Sequence, residues 1–336
     1  MFSLSRHRGF VLIFALWVLG FLTVLAVGVA AGIRQKIVLL EKLDQRSHVQ
    51  HLLEASVKYA AGYIGSQRSL AGESFKSSLK MNLHNNPQIF GQFDLGDSSA
   101  SISYQGSDQS EVYGVIDEER KININTVNVA VLSRLIEKAI NVKSDQARRL
   151  AESILDWRQF GESQAKGFFS DGYYSNLEYP YAKKDADYES LDELLLVKDI
   201  TKEIYDQLIK FVTIYGNGRV NINTASREVL YALGFDDVLI DKIFEVRSGR
   251  DAQEATLDDH IFLKTYDIAT EVNTVVKLLP EEIHQIDAIN KQDLLTTNSF
   301  YYSIKSAVHL AHSSFSKEIR AIYSFKENKI VYWKER

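Results

Sequence analysis

Two sets of adjacent carboxylates, Asp192-Glu193 and Glu281-Glu282, come closest to a catalytic pair in this sequence. A general acid and a general base must face the same substrate, whereas neighbouring positions on a helix project in different directions. We therefore expect these residues to be helix-surface or capping charges. The sequence has no cysteine and no G-x-S-x-G, H-E-x-x-H or P-loop motif. We propose no catalytic residue and expect a protein that is not an enzyme.

The N-terminus combines a short basic leader with a long apolar run that begins at the tenth residue. Two arginines precede Gly9, and no charged side chain occurs from Phe10 to Ile33. At about 1.5 Å per residue the run forms a helix of about 36 Å, which spans the hydrocarbon of a bilayer. It is longer than the apolar core of a secretory signal, although a signal peptide cut near Ala30 and an uncleaved signal anchor stay open as alternatives.

The sequence after the apolar run predicts one long helix and one interrupted sheet. Helical spacing continues from Arg34 to about Ser66, so that an amphipathic stem extends the membrane helix. Alternating segments broken by Gly, Asp and Ser occupy 88–116 and 299–336 and predict antiparallel strands, with a hairpin turn at Asn328. Because a long and mostly helical stretch separates these two blocks, we expect a helical domain inserted into a single sheet.

The helical stretch contains an internal repeat, in which KININTVNVAVLSRL (121–135) aligns with RVNINTASREVLYAL (219–233). The simplest interpretation is that an Asn or Thr of each motif caps the helix that follows. The motif is also similar to helix-hairpin-helix DNA-binding modules, which need a glycine-containing hairpin and basic residues beside the phosphates. Here Asp199 stands where the hairpin glycine is expected, and the net charge is -5. We expect no nucleic acid partner.

The basic leader, the glycine at the membrane boundary and the bulky residue after it resemble the prepilin leader of type IV pilins and pseudopilins. The resemblance implies that a prepilin peptidase cuts after Gly9 and methylates the new N-terminal amine of Phe10. Pilin-like subunits usually have glutamate at the fifth mature position, which here is Phe14. A subunit without this carboxylate has no partner amine to find in lipid, so the resemblance assigns Phe14 to a subunit at a filament end.

Four further blocks resemble the type II secretion system protein K family in the same order: SILDWRQFGE, YYSNLEYPYAKK, YESLDELLLVKDITKEIYDQL and VNINTASREVLYAL. The resemblance implies a minor pseudopilin at the tip of the pseudopilus, which primes its assembly and supports the export of folded proteins. It also implies other minor pseudopilins as partners, and a single pass through the bacterial inner membrane with the C-terminal domain in the periplasm.

Two other functions stay open. A minor pilin of a type IV pilus or of a DNA-uptake filament would share the leader and the fold, but it gives no reason for the large insertion. A membrane-anchored periplasmic DNA-binding protein is the third hypothesis.

Together these observations predict an α+β fold, with a pilin-like N-terminal transmembrane helix packed on an antiparallel sheet and a large inserted α-helical domain of SAM-like or helix-hairpin-helix-like repeats. The predicted segments are a leader (1–9), a transmembrane segment (10–33), a stem helix (34–66), a first β part (67–118), the inserted domain (119–297) and a second β part (298–336).

Members of the protein K family can bind calcium through acidic residues after a D-W-R motif. The residues that the resemblance offers here are Asp156, Glu162, Asp171 and Glu178. Oxygen ligands of this kind suit a hard cation. However, Gln159, Gly161 and Ser170 stand where the family has acidic residues, so the match is incomplete. Calcium is a hypothesis for this loop, and its alternative is a solvated acidic loop.

Overall fold

The computed structural model describes residues 8–67, 83–95, 98–106, 110–158, 171–253, 256, 258–310 and 316–335. The helices in this part of the chain are α1 (Arg8–Ser66), α2 (Pro87–Phe90), α3 (Val129–Ile140), α4 (Ser144–Arg158), α5 (Asp171–Ser175), α6 (Lys202–Leu208), α7 (Arg227–Leu233), α8 (Asp237–Arg247), α9 (Ile268–Val275) and α10 (Pro280–Lys291). Short 3-10 helices cover Glu118–Arg120, Leu191–Leu196 and Thr265–Asp267.

The strands are β1 (Phe93–Leu95), β2 (Ser98–Gln105), β3 (Glu111–Tyr113), β4 (Ile116–Asp117), β5 (Ile122–Asn123), β6 (Val212–Thr213), β7 (Val220–Asn221), β8 (Leu295–Thr296), β9 (Tyr301–Leu310), β10 (Ser316–Ser324) and β11 (Lys329–Glu335). Seven of them form one antiparallel sheet in the order β1-β2-β9-β10-β11, with β3 paired to β2 and β4 paired to β9.

Helix α1 is 59 residues long and joins the apolar run to the stem without a break. Among the described residues it is the one helix long and apolar enough to cross a membrane. Its large apolar side chains from Phe10 to Leu43 are exposed, whereas the stem buries one face in the core that it shares with the sheet. That buried face carries Val49, Leu52, Leu53, Val57, Ala60 and Ile64. The predicted single helix of anchor and stem is confirmed.

The sheet is completed across the insertion, as the sequence predicts. Strand β2 pairs with β9, and Ala100 lies opposite Val308 although the whole helical stretch separates them in the chain. Strands β10 and β11 form a hairpin in which Asn328 has a φ of 56°, the left-handed conformation that asparagine tolerates in turns. The α+β fold with a helical insertion is therefore confirmed.

Strand β10 shows how the sheet separates α1 from the insert. Side chains alternate between the two faces of a strand. Ile319 and Ala321 are buried in the core that contains α1. Arg320 lies on the opposite face, where its guanidinium contacts the carboxylate of Glu118 at the start of the helical stretch. The sheet thus has the stem helix on one face and the first residues of the insert on the other.

The first β block begins later than the sequence predicts. Pro87–Phe90 is a short helix, and the first strand starts at Phe93. The side-chain oxygen of Asn86 accepts a hydrogen bond from the backbone N–H of Ile89 at 3.2 Å, and Pro87 follows at the first helical position. Asparagine followed by proline is a helix-start signal, and here it overrides the alternating pattern.

The insert consists of two copies of one arrangement. In the first copy β5 leads through a turn to α3 and α4, and the copy closes when β6 pairs in parallel with β5. In the second copy β7 leads to α7 and α8, and β8 closes the copy by pairing in parallel with β7. The repeat that the sequence shows over fifteen aligned positions therefore extends to whole structural units.

The buried apolar side chains of the described residues form two clusters. One contains the stem helix and the sheet, and the other contains the helices of the insert, with Trp157 and Phe262 among its large members. The domain boundaries predicted at 118/119 and 297/298 stay predictions.

Candidate functional sites

The first candidate site is the processing site at the start of α1. Gly9 belongs to the helix, Phe10 follows it with its side chain exposed, and residues 1–7 lie outside the described part of the chain. Phe14 is also exposed, within the uncovered apolar half of α1. Cleavage between Gly9 and Phe10, and the assignment of Phe14 to a filament end, stay predictions.

The asparagines of the internal repeat form turns and clamps. The side-chain oxygens of Asn123 and Asn221 accept hydrogen bonds from the backbone N–H groups two residues later, at 2.8 and 3.1 Å. Asn125 then bonds both backbone groups of Tyr188, accepting from its N–H at 2.8 Å and donating to its carbonyl at 3.0 Å. A single side chain thus acts like a partner strand and fixes a distant loop to the turn.

The second copy repeats this clamp on a different loop. Asn223 accepts from the N–H of Phe262 at 2.8 Å and donates to its carbonyl at 2.9 Å. In each copy the clamped residue is a buried aromatic, and Tyr188 and Phe262 both belong to the core of the insert. The motif therefore positions the core of each copy.

The prediction that an Asn or Thr of the aligned motif caps the next helix is confirmed in the first copy, where the cap is an asparagine of the motif, and is wrong in the second copy, where the cap is a serine. The cap of α3 is Asn128, whose side-chain oxygen accepts from the N–H of Val131 at 2.9 Å, and the cap of α7 is Ser226. Asn125 and Asn223 are unsuited to capping because their amides are engaged in the clamps. The sequence pattern marks the turn before the helix, and the cap follows it.

The two copies also contact each other at equivalent positions. The guanidinium of Arg134 on α3 donates to the carbonyl of Ala232 on α7 at 2.8 Å, and these residues align in the repeat. Each second helix closes its own turn in the same way, because Arg158 donates to the carbonyl of Val127 and Arg247 to that of Ala225, both at 2.7 Å. The insert is therefore one body built from paired units.

A cluster that we call the acidic joint, Asp117, Glu118 and Glu119, lies where the sheet meets the insert. All three carboxylates are buried. One oxygen of Asp117 accepts hydrogen bonds from Asn221 at 3.1 Å, from Thr224 at 2.8 Å and from Ser299. Asp117 thereby ties strand β4 to the second copy of the repeat and to the chain that returns to the sheet.

Glu118 holds the first copy of the repeat and the sheet together. Its carboxylate accepts from Lys121 at 3.0 Å, from Thr213 on β6 at 2.8 Å and from Arg320 on β10 at 3.1 Å. Burial alone raises the pKa of a carboxyl, but the charges of Lys121 and Arg320 outweigh it and hold the pKa of Glu118 below its ordinary value. Glu118 is thus an ionised, fully paired carboxylate.

Among the described residues, Glu119 has the fewest hydrogen-bond donors of the three carboxylates in the joint. It accepts hydrogen bonds from the backbone N–H groups of Phe300 and Tyr301, the latter at 3.2 Å, and no side-chain cation is among its hydrogen-bond partners in the described structure. Burial raises the pKa of Glu119 to about 7, and the neighbouring charge of Asp117 adds to the effect. The joint therefore contains one carboxyl that titrates near neutrality.

The sequence does not predict the acidic joint. Its only local signal is the run Asp117-Glu118-Glu119 directly after an apolar strand, and such runs are normally solvated. By contrast, the capping charges proposed for the adjacent carboxylates are confirmed at two positions. Glu193 accepts from the N–H of Ser190 at 3.1 Å, and Glu282 accepts from the N–H of Leu279 at 2.6 Å.

The structure describes the side chains of two of the four calcium candidates, Asp156 and Glu178. Glu162 and the side chain of Asp171 lie outside the described residues, and Glu178 is exposed. Asp156 is largely buried, and its carboxylate lies 3.4 Å from the ammonium of Lys183. The described residues contain no group of three acidic or histidine side chains arranged for a metal. Calcium binding at this loop stays a prediction.

Known proteins resemble this chain in sequence and in fold. Residues 107–217 match the family model for type II secretion system (T2SS), protein K. A type II secretion system protein K from Aeromonas hydrophila is 29% identical over 123 residues, which cover 35% of this chain and 37% of the relative. The aligned part therefore spans little more than a third of that relative.

A solved structure also resembles this chain. A chain in the crystal structure of the GspK-GspI-GspJ complex from the enterotoxigenic Escherichia coli type 2 secretion system aligns with a TM-score of 0.57 at 16% identity. The alignment covers 87% of this chain and 99% of that chain, so the fold is shared almost throughout. The resemblance predicted from the sequence is confirmed: in its family segment and in its fold, this chain is similar to type II secretion system protein K.

Proposed function

We propose that this chain is a minor pseudopilin at the tip of a type II secretion pseudopilus, where it primes assembly and supports the export of folded proteins. The observation that carries the proposal is the combination of an uncovered apolar helix with the protein K fold behind it. The apolar half of α1 needs lipid or other helices around it, because exposing it to water is unfavourable. A subunit that assembles through this helix has no need of an active site.

The proposed partners are other minor pseudopilins of the same system, the prepilin peptidase and the inner membrane. The solved relative belongs to a complex of three such proteins, which supports the first of these. We place the sheet and the insert in the periplasm and the anchor as a single pass in the bacterial inner membrane. A minor pilin of a type IV pilus or DNA-uptake filament is the alternative.

We expect cleavage between Gly9 and Phe10 only where a prepilin peptidase is present. The test is to express the chain with and without the peptidase and to measure its intact mass and N-terminal sequence. A mature chain that begins with methylated Phe10 and co-purifies with two other minor pseudopilins supports the proposal. Co-purification with type IV pilus subunits instead would favour the alternative, and an uncut chain or a cut near Ala30 would remove the pilin-like pathway.

We expect Phe14→Glu to reduce pseudopilus initiation at least about tenfold. A carboxylate within the membrane costs about 2.5–3.5 kcal/mol when it is unpaired, and a subunit at the tip has no neighbouring amine on one side. The readout is the number of pseudopili per cell together with secretion of a folded substrate. The matched control is Phe14→Leu, which keeps an apolar side chain and should stay near wild type. Equal activity of both variants would mean that this position does not specify the tip.

A further inference from the structure

A cleft with a volume of about 370 Å³ lies between the two copies of the repeat in the insert. The first copy lines it with the turn that precedes α3, and the second copy lines it with β7 and the end of α7. Most of its buried lining residues are apolar, among them Val131, Val220 and Leu233. Its exposed lining residues are all polar: Thr126, Asn128, Asn217, Arg219 and Asp293. An apolar floor with a few polar groups at the rim is typical of a binding site.

The second copy shows what the motif of the repeat can bind. Asn221 and Thr224 each donate a hydrogen bond to one oxygen of Asp117, at 3.1 and 2.8 Å. Asp117 is fully buried, and the apolar Ile116 precedes it on β4. Hydrogen bonds to a carboxylate are stronger than those between neutral groups, so the motif compensates for the burial of Asp117. In this copy the motif binds an acidic side chain that an extended segment carries.

In the first copy the aligned threonine lines the cleft. Thr126 aligns with Thr224, and its hydroxyl donates to the carbonyl of Asn123 at 3.4 Å, which is a long and therefore weak hydrogen bond. The amide of Asn123 already donates to two backbone carbonyls, at 3.1 and 3.0 Å. Among the described residues, no acidic side chain accepts a hydrogen bond from Thr126. Thr126 is thus a donor without the carboxylate that its counterpart has.

The rim of the cleft offers three more groups that donate hydrogen bonds. The side-chain oxygen of Asn128 accepts from the N–H of Val131 at 2.9 Å. That of Asn217 accepts from the N–H of Arg219 at 3.1 Å, so each of these amides keeps its NH2 group for a ligand. The guanidinium of Arg219 pairs with Asp293, and both side chains are exposed, by 44% and 68%. Because an exposed pair contributes little stability and a guanidinium has five N–H donors, Arg219 can also bind a second carboxylate.

We propose that this cleft binds an acidic segment of a partner protein, with the carboxylate at Thr126 and Arg219 and a neighbouring apolar side chain on the floor. The apolar floor favours a protein segment over a free carboxylate, and the two rim amides present donors that suit backbone carbonyls. Asp117 after Ile116 is an example of such a segment within the chain itself. The cleft belongs to the insert alone, so this binding does not depend on which filament the chain joins.

The test is titration of the full chain in detergent with acetyl-Val-Ile-Asp-amide, which copies residues 115–117 and carries one carboxylate. Because the chain has no cysteine, Lys291→Cys provides a single site for a fluorinated label, exposed and close in sequence to Asp293 at the rim. We expect a saturable shift of the fluorine NMR signal. Acetyl-Val-Ile-Asn-amide and acetyl-Gly-Gly-Asp-amide should bind at least about tenfold more weakly, since one lacks the charge and the other lacks the apolar side chains.

Thr126→Val removes the hydroxyl and keeps the shape of the side chain, so we expect it to weaken binding of the acidic peptide about fivefold or more. The matched control is Thr274→Val. Thr274 is also exposed, and its hydroxyl donates to the carbonyl of Glu271 at 2.6 Å, so this variant should bind as the wild type does. Arg219→Gln should weaken binding to a similar extent, and it is the second variant if Thr126→Val does not accumulate.

A preference for the aspartate peptide that Thr126→Val loses and Thr274→Val keeps would support the proposed site. The absence of a saturable shift at millimolar concentrations of this peptide would overturn it, and so would equal affinity for the aspartate and asparagine peptides. Equal affinity for the Gly-Gly-Asp peptide would mean that the cleft binds a free carboxylate and no protein segment. Equal binding by Thr126→Val and Thr274→Val would remove the assigned hydroxyl and with it the proposal.

Discussion

Replacing Glu118 by glutamine is expected to lower the free energy of unfolding by about 3–5 kcal/mol, the usual effect of breaking a buried ion pair. Glu118 is 1% exposed, and the change leaves the buried ammonium of Lys121 without its balancing charge. The hydrogen bond from Thr213 can persist with the glutamine oxygen, but the amide nitrogen then replaces the oxygen that accepts from Arg320, so the loss includes this bond as well as the charge. The melting temperature of the full chain in detergent should fall by roughly 5 °C or more.

The matched control is Glu189→Gln. Glu189 also pairs with a lysine, Lys184 at 3.7 Å, but its side chain is 88% exposed. Exposed pairs contribute at most about 1 kcal/mol, so this variant should melt close to wild type. If the two variants melted at the same temperature, Glu118 would have no special part in holding the sheet to the insert.

The sequence predicts those parts of the fold in which apolar residues recur with a regular local spacing. Helix α1 follows from an uninterrupted apolar run and a helical stem, and strands β9 to β11 follow from alternation and a turn at Asn328. The exception at Pro87–Phe90 is also local, because a capping asparagine before proline decides the structure there. Local chemistry therefore accounts for both the correct element and the misplaced strand start.

The functional geometry of the joint depends on contacts that no local pattern contains. Asp117 meets Asn221 and Ser299, which are far from it in the chain, and Asn223 clamps the loop at Phe262. The repeat revealed that the asparagines matter, but their partners depend on how the two copies fold. The same limit holds for Asp156, since the sequence offers it as a calcium ligand and only the fold shows the ammonium of Lys183 beside it.

The stability of the wild-type chain is expected to fall as the pH rises through about 7, because of Glu119. Burial raises its pKa from an ordinary value of 4.5 to about 7 in the folded chain. A group whose folded pKa is raised stabilises the fold most below its unfolded pKa, and this stabilisation is lost as the pH passes the folded value. The difference between the unfolded and the folded pKa corresponds to a loss of about 3 kcal/mol in the free energy of unfolding between pH 4 and pH 8.

The charged and titratable groups around Glu119 favour this direction. Asp117 and Glu118 are neighbouring carboxylates, and their charges raise the pKa of Glu119. On β9, the buried hydroxyl of Tyr302 has a pKa well above its ordinary value, through burial first and then the charges of Asp117 and Glu119, so it stays neutral. The hydrogen bonds that Glu119 accepts from Phe300 and Tyr301 lower its pKa, but by less than burial and the neighbouring charges raise it. Ionising Glu119 therefore adds a negative charge to a buried cluster that is already acidic.

Glu119→Gln should remove this dependence, because glutamine is isosteric and has no charge to bury. Its side-chain oxygen can still accept from the N–H groups of Phe300 and Tyr301. We expect the variant to melt several degrees above wild type at pH 8 and near wild type at pH 5, with other titrating groups common to both proteins. A constant difference in melting temperature between the two proteins from pH 5 to pH 8 would show that Glu119 does not titrate in this range. Melting temperatures that differ at pH 8 and converge towards pH 5 would show that protonation of one buried carboxyl strengthens the joint between sheet and insert.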